Sequence, residues 1–123
     1  MTTTIVLEPP CAFINANDRL HHYPKAKLTS AWRELAAHAV DSGFYPDHYT
    51  RAHITVAIRF ATNHRRDVGN LYPTAKAIVD GLVDAQLLPD DNDTHVIGPD
   101  LRREYPNGTP RVTVTITPLE ELQ

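Results

Sequence analysis

Two successive changes of hydrophobic period constrain what this chain can fold into. From Ile54 to Phe60 every second residue is apolar (Ile54, Val56, Ile58, Phe60), with His53, Thr55 and Arg59 between them. Side chains on a strand alternate between faces, so this pattern predicts a strand with one buried face. After Pro73, the apolar residues Ala75, Ile78, Val79, Leu82 and Val83 recur at helical spacing. A single apolar stripe predicts a helix that packs on a sheet. Proline suits its first turn, where an N–H would have no helical partner.

Weaker signals fill in the rest. Thr3 to Leu7 reads as a short strand stopped by Pro9 and Pro10, and residues 11–28 read as irregular. Thr29 or Ser30 can cap a helix carrying Trp32, Leu35, Ala36 and Ala39 on one side. Gly43 to Tyr49, with Pro46, forms a loop, and Pro89 stops the second helix. His95 to Ile97 gives a short strand, Asn107-Gly108 a turn, and Val112, Val114 and Ile116 a last strand. The order β-α-β-α-β-β predicts an α+β fold: one small domain over residues 1–123, a mixed sheet of about four strands, and two helices packed on it.

The 123 residues suit one domain and are too few for two substantial cores. No run approaches 18 consecutive apolar residues, so no membrane span is expected. The start, MTTTIVLEPP, lacks a basic region followed by an apolar one, so no secretory signal is expected. The single cysteine, Cys11, has no internal partner and fits a reducing compartment, giving an expected location in the cytoplasm.

Net charge is −3, but the charges are segregated. Arg19, Lys25, Lys27 and Arg33, with His21 and His22, form a run without a carboxylate. So do Arg51, Arg59, Arg65 and Arg66, whereas Asp80 to Asp100 holds six aspartates and no Lys or Arg. Charge runs are commonly just solvated faces. Cations flanking an anionic centre also suit a protein that grips phosphates and holds a divalent metal.

The window that can carry chemistry is Arg65-Arg66-Asp67-Val68-Gly69-Asn70-Leu71, the helix after it, and Pro89-Asp90-Asp91-Asn92-Asp93. If Asp67, Asp90, Asp91 and Asp93 open on one side of the sheet, their repulsion calls for a hard cation among them, Mg²⁺ or Mn²⁺. Such an ion can generate hydroxide for phosphodiester cleavage, with Arg65 and Arg66 on phosphate. The bland alternative is a surface turn made by the aspartates' own Asx hydrogen bonds. His95 reads as a metal ligand or, more commonly for its position, a structural polar residue. Zinc is disfavoured because there is no Cys-x-x-Cys or His-Glu-x-x-His.

These pieces together resemble the RusA family of Holliday junction resolvases. Leu7-Glu8-Pro9-Pro10 and Asn15-Ala16-Asn17-Asp18-Arg19-Leu20 are similar to its opening strand and Asn-bearing basic segment. Arg65, Arg66, Asp67, Asn70 and Leu71 match its Arg-Arg-Asp-x-Asp-Asn-Leu signature. Lys76, Asp80-Gly81-Leu82 and Asp90-Asp91 match the family's Lys-bearing helix and the Asp-Asp pair beyond it. The resemblance implies a homodimer that binds branched, four-way DNA and nicks it symmetrically with Mg²⁺, for which Mn²⁺ can substitute. It implies that Asp67 and Asp91 are catalytic metal ligands and Lys76 the catalytic lysine. Phosphate contacts fall to Arg19, Lys25, Lys27, Arg33, Arg65, Arg66 and Asn70.

One departure is serious. Gly69 stands where the family has its second aspartate, and Tyr72-Pro73-Thr74 lengthens the approach to Lys76. Asp90 or Asp93 is the expected replacement ligand. Three readings are open: a junction-cleaving endonuclease, a junction-binding protein whose cleavage is lost or weakened by Gly69, or a dimeric domain with a purely structural metal site.

Overall fold

The computed structural model describes residues 2–17, 22–43 and 49–119. Arg19 and His21, with most of the 43–49 loop, lie outside the described residues, as does the side chain of His22. Strand β1 (Thr3–Leu7), helix α1 (His22–Ser42), strand β2 (Ala52–Arg59), a 3₁₀ turn (Val68–Leu71), helix α2 (Tyr72–Asp84), strand β3 (Val96–Arg103) and strand β4 (Arg111–Pro118) succeed one another along the chain. This is the expected α+β arrangement: a four-stranded mixed sheet and two helices.

The sheet order is β1-β4-β2-β3. β4 runs antiparallel to both β1 and β2, while β2 and β3 are parallel. A parallel pair needs a crossover, and α2 supplies it. On the covered face Ala52, Ile54, Val56 and Ile58 of β2 lie beside Val112, Val114 and Ile116 of β4, with Ile5 and Leu7 of β1 at the edge. These join Trp32 and Ala36 of α1 and Ala75, Ile78, Val79 and Leu82 of α2 in one apolar cluster. The alternation in β2 and the stripe in α2 therefore read correctly.

Two elements are longer than expected. α1 starts at His22, not at Thr29 or Ser30. Pro24 sits in its first turn, where proline is tolerated, and Thr29 lies inside the helix with its hydroxyl donating to the Lys25 carbonyl (2.9 Å). A threonine can satisfy itself in this way without ending a helix. β3 runs eight residues rather than three, despite Gly98-Pro99. As an edge strand it can carry proline, and its pairing slips between His53 and Thr55, where Ile97 to Asp100 oppose them across a bulge. Gly98 adopts φ +104°, and a Cβ there would fall 2.5 Å from the Ile54 carbonyl oxygen.

Gly81 fixes how the helices cross. A Cβ on it would sit 2.3 Å from the Arg33 carbonyl oxygen and 2.8 Å from Ala36 Cβ, so α1 and α2 meet backbone to backbone here. The segment before α1 is pinned as well. The Thr74 hydroxyl, fully buried, accepts from Ile14 N (2.7 Å) and donates to Ile14 O (3.0 Å). Ala16 N donates to Asn70 O (2.7 Å), and Trp32 Nε1 to Ala12 O (2.9 Å). These bonds carry Asn15 to the start of α2.

Candidate nucleic-acid interface

The residues singled out in the sequence fall into two groups. The first surrounds a cleft of about 280 Å³ formed by the loop after β2, the 3₁₀ turn and the pinned segment at Asn15. The buried Phe60 and Leu71 line it together with the polar residues Asn15, Arg65, Arg66, Asp67 and Asn70. Asp67 caps the 3₁₀ turn: its Oδ1 accepts from Gly69 N (3.0 Å), and its carbonyl accepts from Asn70 N (3.1 Å). Arg66 stacks its guanidinium 4.4 Å from the Phe60 ring centre and donates to the Thr62 hydroxyl (2.9 Å). Arg65 is exposed and has no ion pair among the described residues.

The loop bearing these arginines is held from β3. Arg103 donates from its two terminal nitrogens to the carbonyls of His64 (2.9 Å) and Thr62 (3.1 Å), with its guanidinium carbon 5.1 Å from the Phe60 ring centre. Phe60 also meets Phe13 edge to face (5.7 Å), and Phe13 stacks on Trp32 (5.6 Å). Neither Arg103 nor Phe60 stands out in the sequence as a site residue. Arg103 lies near the C-terminal end of β3 and reaches the loop only because β2 and β3 run parallel.

The second group centres on Lys76. Its ammonium donates to Asp80 Oδ1 (2.6 Å), one turn along α2, and to Asp91 Oδ2 from the loop before β3. Burial pulls the Lys76 pKa down, and the bonds to Asp80 and Asp91 outweigh it, leaving it raised. The bond from Lys76 is the main reason that the Asp91 carboxyl falls from 3.8 to about 2. Nearby, Arg33 grips Asp84 with two nitrogens (2.5 and 2.8 Å), which raises the arginine's pKa and lowers the carboxyl's. Arg33, expected on phosphate, is thus committed to fastening α1 to α2.

The remaining aspartates form a surface turn. Asp90 Oδ1 accepts from Asp91 N (2.7 Å), and Asn92 Oδ1 accepts from Thr94 N (3.1 Å); Asp93 is exposed. This is the Asx pattern of the bland reading. His95 Nδ1 bonds the Thr50 carbonyl (2.8 Å), a structural role. Lys25 and Lys27 are exposed near the start of α1.

Whether Asp67 and the 90–93 aspartates open on one side of the sheet depends on how far the second loop reaches back along α2. In a parallel β-α-β unit, the loop leaving the first strand and the loop entering the second lie at opposite ends. Asp67 comes after β2 and Asp90 to Asp93 precede β3, so the two belong to opposite ends of the crossover. Asp91 does reach back along α2, to the ammonium of Lys76, which is four residues past Tyr72 and about 6 Å along the helix axis. Among the described residues no group of three His, Cys, Asp or Glu side chains is placed to hold a metal ion. Asp67 has one oxygen, Oδ1, engaged in its cap, and the single ammonium of Lys76 is shared between Asp80 and Asp91. Among the described residues the donors do not form a preassembled divalent-cation site.

No protein family and no curated protein matches the chain. Among solved structures, thiamine-monophosphate kinase from Stenotrophomonas maltophilia K279a aligns over 94% of this chain and 29% of its own, at 17% identity. The TM-score is 0.28, too low to indicate a shared fold. Among the described residues, no helix is long and apolar enough to cross a membrane.

Proposed function

We propose that this chain binds branched DNA, gripping backbone phosphate in the cleft between Arg65, Arg66, Asn70 and Asn15. One observation carries the reading. Two adjacent arginines, neither with an ion pair among the described residues, stand exposed at a polar cleft whose loop is fastened by Arg103 of β3 and by the Arg66–Thr62 bond. A guanidinium fork matches phosphate geometry, and a preorganised loop avoids the entropy of ordering it on binding. The choice of a four-way junction, and of a homodimer whose symmetry suits it, comes from the resemblance to the RusA resolvases.

A second reading, nicking of the junction with Mg²⁺ or Mn²⁺, is favoured by the meeting of Lys76 and Asp91, two residues that the same motif makes catalytic. It needs Asp67 in the same site, and a carboxylate where Gly69 stands. The binding reading is therefore preferred, and no cleavage step is assigned to these residues.

The test is titration of the protein against a labelled four-way junction and a matched linear duplex at several salt concentrations, then addition of Mg²⁺ or Mn²⁺. Tighter binding to the junction, weakening steeply with salt as counterions are released, is expected. Arg65→Gln together with Arg66→Gln should abolish it. Equal affinity for both DNAs, or indifference to salt, overturns the proposal. Paired nicks that disappear in Asp67→Asn would establish the second reading.

A further inference from the structure

The topology gathers charge that is scattered in sequence. β2 and β3 are parallel and β4 is antiparallel to β2, so the ends of β2 and β3 and the start of β4 meet at one end of the sheet. Residues 59–72 and 101–111 meet there, and between them they hold six arginines (Arg59, Arg65, Arg66, Arg102, Arg103 and Arg111) against two carboxylates, Asp67 and Glu104. Backbone and side-chain bonds weld the segments together: Glu104 N to Ile58 O (2.8 Å), Gly108 N to Phe60 O (3.1 Å), and Arg59 Nε to Thr109 O (2.9 Å). Glu104 is committed to Arg111 (2.7 Å). Arg102 is exposed, stands on the open sheet face level with Ala57, and has no ion pair among the described residues.

At this basic end stands Tyr105, 63% exposed, with the Arg103 guanidinium 5.0 Å from its ring centre. Arg103 also contacts Phe60, which lines the cleft, and holds the loop carrying Arg65 and Arg66. A large exposed aromatic beside cations, rigidly linked to a phosphate-binding cleft, has the two components by which proteins hold unpaired nucleotides: a ring for the base and positive charge for the backbone. An acidic peptide would use the charge but has no use for the ring.

We infer that Tyr105 is a stacking platform for an unpaired nucleobase of the strand whose phosphates lie on Arg65 and Arg66. The inference rests on the DNA-binding reading and adds the kind of DNA the surface selects: branches with an unpaired nucleotide beside the crossover.

The test uses the full chain and two four-way junctions, one fully paired and one with a single unpaired 2-aminopurine at the branch point. Wild-type protein should bind the second more tightly and quench its fluorescence, the signature of stacking. Tyr105→Leu, which keeps apolar bulk at an exposed position, should remove the quenching and weaken that complex about tenfold, leaving the fully paired junction within about twofold. Tyr105→Phe should restore both. Arg65→Gln should weaken both junctions and lower the salt slope by about one.

Unchanged quenching in Tyr105→Leu, or equal weakening of both junctions, overturns the platform while the cleft stands. Wild-type protein that binds neither junction, or that a polyglutamate peptide displaces from both with equal ease in wild type and Tyr105→Leu, overturns the platform together with the reading beneath it.

Discussion

Lys76→Met removes one charge and keeps most of the side chain's length, so it isolates what the ammonium does between Asp80 and Asp91. A carboxyl lowered from 3.8 to about 2 corresponds to about 2.4 kcal/mol, at 1.36 kcal/mol for each tenfold change. Lys76 is 40% and Asp91 32% exposed, and screening at such a site brings the figure down toward the ~1 kcal/mol of exposed ion pairs. A loss of about 1 kcal/mol near neutral pH is expected. Its pH dependence identifies the cause. Asp91 titrates lower in the folded protein than in the unfolded one, so its contribution is complete above about pH 4 and disappears as the pH falls through about 2. Urea unfolding of both proteins should show the full difference at pH 5 to 7 and almost none near pH 2, while NMR titration should show the Asp91 carboxyl moving back up in the variant. A stability difference that persists unchanged at pH 2, or an Asp91 titration identical in both proteins, would refute the electrostatic argument and leave only the packing of the lysine stem.

The geometry fixes three further outcomes. Gly81→Ala gains about 1 kcal/mol in helix propensity, but its methyl would meet the Arg33 carbonyl oxygen at 2.3 Å; overpacking of this kind costs about 1–3 kcal/mol, so a lower melting temperature is expected in calorimetry. Gly69→Asp returns the second carboxylate of the resolvase motif beside Asp67, whose Oδ1 would lie 3.2 Å from the new Cβ and must yield by a few tenths of an ångström; Mn²⁺ titration by calorimetry should detect binding in the variant and none in the wild type. Arg103→Lys cannot span the carbonyls of both Thr62 and His64, so amide hydrogen exchange should accelerate in residues 61–66 and stay unchanged in β2.

Much of the fold is legible because burial here tracks local periodicity. Ile54, Val56 and Ile58 alternate, Ala75, Ile78, Val79 and Leu82 keep a helical stripe, and each set is buried as its pattern demands. The misread boundaries lie where tertiary context overrides a local signal. Thr29 has the chemistry of a cap but donates back to Lys25, which only the earlier start of α1 makes possible. Gly98-Pro99 ends most strands, yet β3 lies at the sheet edge and absorbs the pair in a bulge.

The site is less legible because charge runs group its residues by sequence, while the fold sorts them by the end of the sheet they reach. Asp67 and Asp91 sit in similar-looking acidic loops, but the first is tied into the cap before α2 and the second pairs with Lys76. The carboxylates that do meet, Asp80 and Asp91, come together on a lysine that offsets one of their two charges. The same rule brings together what sequence spacing conceals: Arg102 and Arg103 lie some forty residues from Arg65 and Arg66 in the chain and yet share their end of the sheet. A parallel strand pair with arginines at both C-terminal ends gathers positive charge whatever becomes of the acidic loops, and the proposed phosphate contacts rest on that end alone. With Mn²⁺ present to offset the added charge, restoring a carboxylate at position 69 should therefore leave the affinity for a four-way junction in place and add cleavage to it. Loss of affinity in Gly69→Asp, with the fold intact by circular dichroism, would show that the cap at Asp67 and the cleft are one device and that this separation of binding from chemistry is wrong.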